Sequence, residues 1–262
     1  MNLRITILAK QVPDTRCVGQ GTMNTDGTID RAALPVIINP DDMKALEQAL
    51  RLKEQYPGST IQVLTMGPLR AADVVRECLF RGADEGYLLS DCAFAGADTL
   101  ATSYALATAV GRMGGYDIIL CGRQSIDGET AQVGPQVAER LGVPQVTYAE
   151  EVLGVEEGHV IVRRRTDEGV EVVESPLPVV ITVNGSAARC RSRHAKRLMS
   201  YKNADITVWD ASDIGADIAQ CGLLGSPTRV KAVESIVPSV KESHVMGGSD
   251  EEIEELMREL GI

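Results

Sequence analysis

Four apolar runs, Leu3 to Ala9, Thr60 to Met66, Tyr116 to Cys121 and Pro178 to Val183, show no strict polar alternation. A strand with one face in water alternates with period two, so continuous runs predict strands covered by helices on both faces. Helical stretches lie between them, over Asp41 to Tyr56, Leu69 to Arg81, Thr99 to Met113 and Thr130 to Leu141. In the first, Met43, Leu46, Ala49, Leu50 and Lys53 mark one stripe opposite a charged face. The order β-α-β-α predicts an α/β fold with a doubly wound, mostly parallel sheet. Asn39 is placed to cap a helix with Pro40 in its first position, and Gly82 and Gly142 follow helical runs where a left-handed residue is wanted. From Ala149 to Glu174 three short β-rich runs broken by Gly158 and Gly169 predict antiparallel hairpins, an edge ribbon.

The chain has 262 residues, 44% of them hydrophobic, enough for a packed core. Aromatics make up only 3%, so stacking platforms for bases are scarce, and a net charge of -11 opposes binding to a phosphate backbone. Nucleic acid is not expected as a partner. The six cysteines are scattered without a C-x-x-C pair, which argues against a disulfide framework or a zinc site. The amino terminus opens on a strand rather than a signal-peptide pattern, and no apolar run reaches the roughly 18 residues of a membrane span. A reduced, cytoplasmic setting without membrane insertion is therefore expected.

The segment Cys121 to Pro135, CGRQSIDGETAQVGP, follows the third apolar run and precedes a helical pattern. Open α/β sheets bind ligands at the carboxyl ends of their strands. Gly122 and Gly128 let the backbone turn, while Ser125, Asp127, Thr130 and Gln132 supply donors and acceptors, more polar groups than a helix cap by Asp127 or Thr130 needs. Backbone N–H groups from Asp127 to Gln132 are the expected phosphate cradle. The loops Ala9 to Asp14 and Met66-Gly67-Pro68 lie at the same sheet edge, with Asn39 to Asp42 alongside. Asp41 and Asp42 repel phosphate, so they are read as ribose contacts or as caps. Lys10 either neutralises a phosphate or pairs with a carboxylate, and Arg123 faces either a ligand or a partner. Met66 and Cys121 read equally as core.

Neither G-x-G-x-x-G after the first strand nor G-x-x-x-x-G-K-[ST] occurs, which disfavours a standard dehydrogenase or P-loop enzyme. No G-x-S-x-G elbow is present, and His159, His194 and His244 are isolated from any Ser or Cys partner. A stand-alone adenine-nucleotide-binding module remains a rival, although the adenylyl-transfer signatures H-x-G-H and S-G-G-x-D-S are missing. The basic cluster Arg189, Arg191, Arg193, Lys196 and Arg197 is either a solvated face or a contact for an anion or partner. Ile253, Leu256, Met257 and Leu260 recur at helical spacing within the acidic stretch Ser249 to Glu259, an amphipathic terminal helix in need of an apolar partner.

A-K-Q-V-P-D at 9–14, I-N-P-D-D at 38–42, T-M-G-P at 65–68, R-G-A-D at 81–84, G-R-Q-S-I-D-G-E-T-A-Q-V-G-P at 122–135, L-P-V-V-I-T-V at 177–183 and S-P-T-R-V at 226–230 occur in order along the chain. In these the sequence resembles the β (small) subunit of electron-transfer flavoproteins. The resemblance implies a Rossmann-like core over residues 1–208, a carboxyl-terminal arm over 209–262 that packs on a larger α subunit, and no catalysis by the isolated chain. It implies an adenine nucleotide held by Leu8, Ala9 and Lys10, by Asn39, Pro40, Asp41 and Asp42, by Met66 and Gly67, and by Gly122, Arg123, Gln124, Ser125, Ile126, Asp127, Gly128, Glu129, Thr130, Ala131, Gln132, Val133 and Gly134. In the conventional branch that nucleotide is a structural AMP. In the electron-bifurcating branch it is the ADP part of a second FAD, with NADH oxidation in the αβ complex, one electron passed to a low-potential carrier and the other to the α-subunit flavin, and a dehydrogenase as a further partner. Ala131-Gln132-Val133 resembles the bifurcating pattern, where conventional members tend to read Asn-Gln-Thr, so FAD is expected, with AMP as the alternative. Asn184 to Arg191 departs from the family's Asn-Glu-Pro-Arg-like segment, and partner contacts are not carried over to it.

Overall fold

The structure, a computed structural model, describes residues 1–14, 16, 34–202, 204–229 and 247–261; Cys17, Val230 and Ile262 fall outside them. In chain order the first half contains β1 (Arg4–Leu8), β2 (Gln11–Pro13), β3 (Val36–Ile38), α1 (Pro40–Gln55), β4 (Thr60–Met66), α2 (Ala72–Arg81), β5 (Glu85–Leu89), α3 (Thr99–Arg112) and β6 (Ile118–Gly122). The second half contains α4 (Val133–Leu141), β7 (Gln145–Glu156), β8 (His159–Thr166), β9 (Gly169–Pro176), β10 (Val179–Val183), α5 (Leu198–Lys202), β11 (Thr207–Trp209) and α6 (Asp250–Leu260).

One nine-stranded sheet runs β11-β5-β4-β1-β6-β10-β7-β8-β9. From β11 to β7 all neighbours pair in parallel, and β8 and β9 continue antiparallel as the edge ribbon. Because β1 has β4 on one side and β6 on the other, the order reverses at β1, and helices cover both faces. Residues at i and i+2 of a strand share a face. Ile5, Ile7, Ile61, Val63, Ile118, Leu120 and Ile181 therefore pack with Leu46 and Leu50 of α1 and Val75 and Leu79 of α2. Leu8, Leu64, Ile119, Cys121 and Val180 pack on the other side with Leu106 and Val110 of α3 and Val137 of α4. The apolar runs lack alternation because each residue has a helix above it, whichever way it points. Ala211, Ile214 and Cys221 join this second core.

Several boundaries differ from the sequence-based expectations. β5 lies in no predicted run: its sequence EGYLL is short and interrupted by Gly86, whose missing Cβ leaves room for Val75 of α2. α4 starts at Val133 rather than Thr130, because Glu129 and Ala131 take left-handed φ values of 52° and 53° that no α-helix continues. Asn39 occupies the N-cap position of α1 with Pro40 following, yet its side chain makes no cap bond. Gly142 has φ 66° and ends α4 as expected. In the ribbon, Glu157 and Gly158, with φ 47° and 81°, turn β7 into β8.

The basic cluster is largely spent inside the chain. Arg191 pairs with Glu47 of α1 at 3.0 Å and also with Glu54, Arg193 pairs with Glu77 of α2 at 2.9 Å, and Arg197 donates to the Ala83 carbonyl at 3.0 Å. In α6, Ser249 and Glu252 form a capping box, and Ile253 (47% exposed), Leu256 (40%) and Met257 (45%) keep an apolar stripe in contact with water.

Candidate functional site

At the reversal point, a cavity of about 700 Å³ opens beyond the carboxyl ends of β1, β4 and β6. Its inner wall is apolar, built from Leu8, Leu64, Phe94, Leu106 and Cys121. Its outer wall is the loop after β6 and the first turn of α4 on one side, and the segment from Gly96 to Thr102 on the other.

Two side chains at the start of α1 fix this architecture. Asp42, 6% exposed, accepts from the Lys10 backbone N–H at 2.8 Å and the Gly122 backbone N–H at 2.8 Å, tying the ends of β1 and β6 together. Burial pushes its carboxyl up to about 7, against the opposing pull of those two hydrogen bonds. Asn39 reaches the loop itself: its Nδ2 donates to the Gln124 carbonyl at 2.8 Å and its Oδ1 accepts from the Ile126 N–H at 3.2 Å. Asn39, expected as a cap, and Asp42, expected as a cap or a ribose contact, are both committed to tertiary bonds around the loop that forms the cavity. Gly122 makes its close approach here, since a Cβ on it would lie 2.6 Å from Asp42 Oδ1 and 2.7 Å from Asp41 Cβ.

The loop is further held by Lys10, whose Nζ lies 2.8 Å from Asp127 Oδ1. Burial works to raise the Asp127 carboxyl, but hydrogen bonds from Lys10 and Ser125 and the lysine charge outweigh it and keep it below the usual range. Past Gly128, left-handed Ala131 at φ 53° is followed by right-handed Gln132, the kind of backbone pairing in which successive N–H groups form an anion-binding concavity. It leads into the first turn of α4, whose N–H groups have no intrahelical acceptor and whose N-cap Gln132 supplies no side-chain cap. Gln132 Oε1 instead accepts from Thr99 Oγ1 at 2.9 Å, bridging the two sides of the mouth. Arg123 donates its backbone N–H to Val183 at 2.8 Å and lays its guanidinium 5.5 Å from the Tyr148 ring.

A model of the electron transfer flavoprotein domain matches residues 26–214. The caffeyl-CoA reductase-Etf complex subunit CarD of Acetobacterium woodii is 46% identical over 87% of this chain and 86% of its own length. The chain belongs to the electron transfer flavoprotein β-subunit family. The electron transfer flavoprotein subunit beta of Clostridium acetobutylicum is 45% identical over 87% of this chain and 86% of its own. The acryloyl-CoA reductase electron transfer subunit gamma of Anaerotignum propionicum is 40% identical over 98% of both chains.

Of the residues picked from sequence for this flavoprotein subunit, the cavity brings together Leu8, Ala9, Lys10, Asn39, Asp42, Met66, Gly122 to Ser125, Gly128, and Thr130 to Gly134. Pro40, Asp41, Gly67, Ile126, Asp127 and Glu129 do not line it. Pro40 opens α1, Asp41 pairs with Lys44 at 3.3 Å, and Gly67 donates its N–H to Leu89. Asp127 acts through Lys10. Sequence reasoning missed Leu64, Phe94, Leu106, Asp98, Thr99, Thr102 and Thr228. Leu64 lies in the predicted β4 and Leu106 in the predicted α3, whereas the place of Phe94, Asp98 and Thr99 follows only once β5 is recognised, and Thr228 is placed by its bonds to Asp98. Among the described residues no cluster of His, Cys, Asp or Glu is arranged to hold a metal ion, and no helix is long and apolar enough to cross a membrane.

Proposed function

We propose that this chain holds the adenylate part of FAD in the cavity and, with an electron-transfer flavoprotein α subunit, carries electrons by flavin-based bifurcation in the cytoplasm. The observation that supports this reading most is the polarity of the cavity. An apolar floor suits a purine ring, and the N–H concavity at residues 131–134 suits a phosphate. Thr130 and Gln132 contact the ribose or phosphate oxygens, and Lys10 keeps the loop closed through Asp127. FAD, when bound, would supply the hydride-accepting and one-electron-donating chemistry that the side chains of this protein lack. The residues of this chain bind and orient it and keep water from its purine.

FAD is favoured over AMP because Ala131 and Val133 present small or apolar side chains to a cavity that continues past the loop to Thr102 and Thr228. Relatives named as subunits of CoA-reductase complexes support the same choice, and a dehydrogenase and a low-potential carrier are the further partners this reading calls for. Of the arm expected over residues 209–262, the part up to Thr228 packs on this chain's own core, so the contact with the α subunit falls to the half-exposed stripe of α6.

Acid extraction of nucleotides from the co-expressed αβ complex tests this directly. Two FAD per complex is the expected result; one FAD with one AMP identifies the conventional reading, and no nucleotide beyond one FAD overturns the site. Replacing Thr130 and Gln132 together by Leu is expected to empty the site, and an unchanged nucleotide content removes the loop from the account.

A further inference from the structure

Asp98 stands between β5 and α3 and divides its carboxylate between two tasks. Its Oδ1 accepts from the Leu100 N–H at 2.9 Å and the Ala101 N–H at 3.0 Å, which caps α3. Its Oδ2 accepts from Thr228, from the backbone N–H at 3.0 Å and from Oγ1 at 2.7 Å, 130 residues further along the chain. One oxygen is enough for a cap, so the second is committed to Thr228. The Asp98 N–H in turn donates to Ser226 Oγ at 2.8 Å, and that hydroxyl donates to the Gly222 carbonyl at 2.7 Å. The Leu223 N–H donates to the Ala95 carbonyl at 3.0 Å, and Gly222, at φ 51°, lies against the Ala93 carbonyl where no Cβ fits. Residues 222–228 are thus laid along 93–98.

Thr228 and Asp98 both line the cavity, and Thr99, next in sequence to Asp98, is bonded to Gln132 on the opposite side of its mouth. A hydrogen-bonded rim therefore runs from Thr228 through Asp98 and Thr99 to the loop that holds the phosphate in the reading above. We propose that Asp98 is a positioning residue of the nucleotide site: by fixing Thr228 as a wall, it makes nucleotide retention depend on the carboxyl-terminal segment. The dependence is reciprocal, because any affinity that the ligand gains from an ordered wall is returned as tighter fastening of that wall. This inference rests on the cavity holding an adenine nucleotide.

The test uses the full-length chain, stripped of nucleotide and titrated calorimetrically with AMP and with FAD. Asp98→Asn keeps an oxygen for the cap and turns an amide N–H toward the Thr228 donors, while Thr228→Val removes only the hydroxyl bond and leaves α3 untouched. Both variants are expected to weaken binding of AMP and FAD by roughly tenfold, the loss of about one hydrogen bond. Hydrogen exchange at Ser226 to Arg229 is expected to slow on adding AMP to the wild type and to respond less in either variant, a response that a mere cap does not produce. Wild-type affinity in Thr228→Val, or exchange at 226–229 indifferent to AMP, overturns the inference while leaving the nucleotide reading intact. A wild-type chain that binds neither probe removes that reading, and this inference with it.

Discussion

Asp42 shows what a residue's neighbours add to its type. Between Asn39, Pro40 and the helix that follows, an aspartate reads as a helix-terminus acid, and only the fold shows that its two oxygens join backbone groups 112 residues apart, Lys10 and Gly122. The folded value of about 7 lies above the ordinary 3.8, so the folded state holds this proton more tightly than the unfolded chain does. Its contribution to stability is present below 3.8 and is lost as the pH rises toward 7. Asp42→Asn is expected to abolish that part of the pH dependence, seen as a flatter urea-midpoint profile between pH 4 and 7. At low pH, where the acid is neutral and, like the amide, keeps one carbonyl oxygen to accept, the substitution is expected to change stability little. Asn39 gives the same lesson: its place before Pro40 was legible, whereas the loop atoms it binds were not, since they lie 85 and 87 residues away.

At the level of elements, strands in the middle of the sheet were legible because burial on both faces leaves an unbroken apolar signature. β4 has the predicted bounds, while β2, β3 and β11 are three residues long and too short for periodicity to register. The packing of α4 on the sheet depends on Gly134, where a Cβ would lie 2.6 Å from Thr182 Cγ2 and 2.9 Å from Cys121 Sγ. Gly134→Ala is expected to cost about 1–3 kcal/mol by overpacking, measured by urea denaturation. The sequence 189–197 was legible as basic but not as internally paired, because its carboxylates come from α1 and α2. Burial raises the Glu47 carboxyl, but hydrogen bonds from Arg191, seconded by Arg51, more than reverse this and hold it below 4.5. A depressed carboxylate stabilises above its unfolded value, and the contribution fades as the pH falls. Arg191→Met is therefore expected to destabilise by about 1–3 kcal/mol at pH 7, by less at pH 4, and to speed tryptic cleavage after Arg193.

For the whole molecule, the cavity's position follows from the strand order, since the crevice at the carboxyl ends opens where β1 sends neighbours to both sides. The loop after β6 could be found from sequence by that rule; its opposite wall could not, because it unites the segment after β5, the start of α3 and Thr228 through contacts that no local pattern encodes. The stripe on α6 gives a prediction at this scale. Ile253→Glu combined with Met257→Glu is expected to leave the unfolding midpoint of the isolated chain unchanged, as both side chains are already wetted, and to reduce co-purification of the α subunit. Unchanged co-purification assigns that contact elsewhere. The insertion of β10 between β6 and β7 has one more effect, on how the chain is made. On a ribosome, β6 and β7 emerge before the strand that separates them, so the growing polypeptide has to keep that slot open or reopen it. The central sheet cannot seal until Val183 is free of the exit tunnel, and a chaperone that shields those two bare strand margins is best timed to that interval.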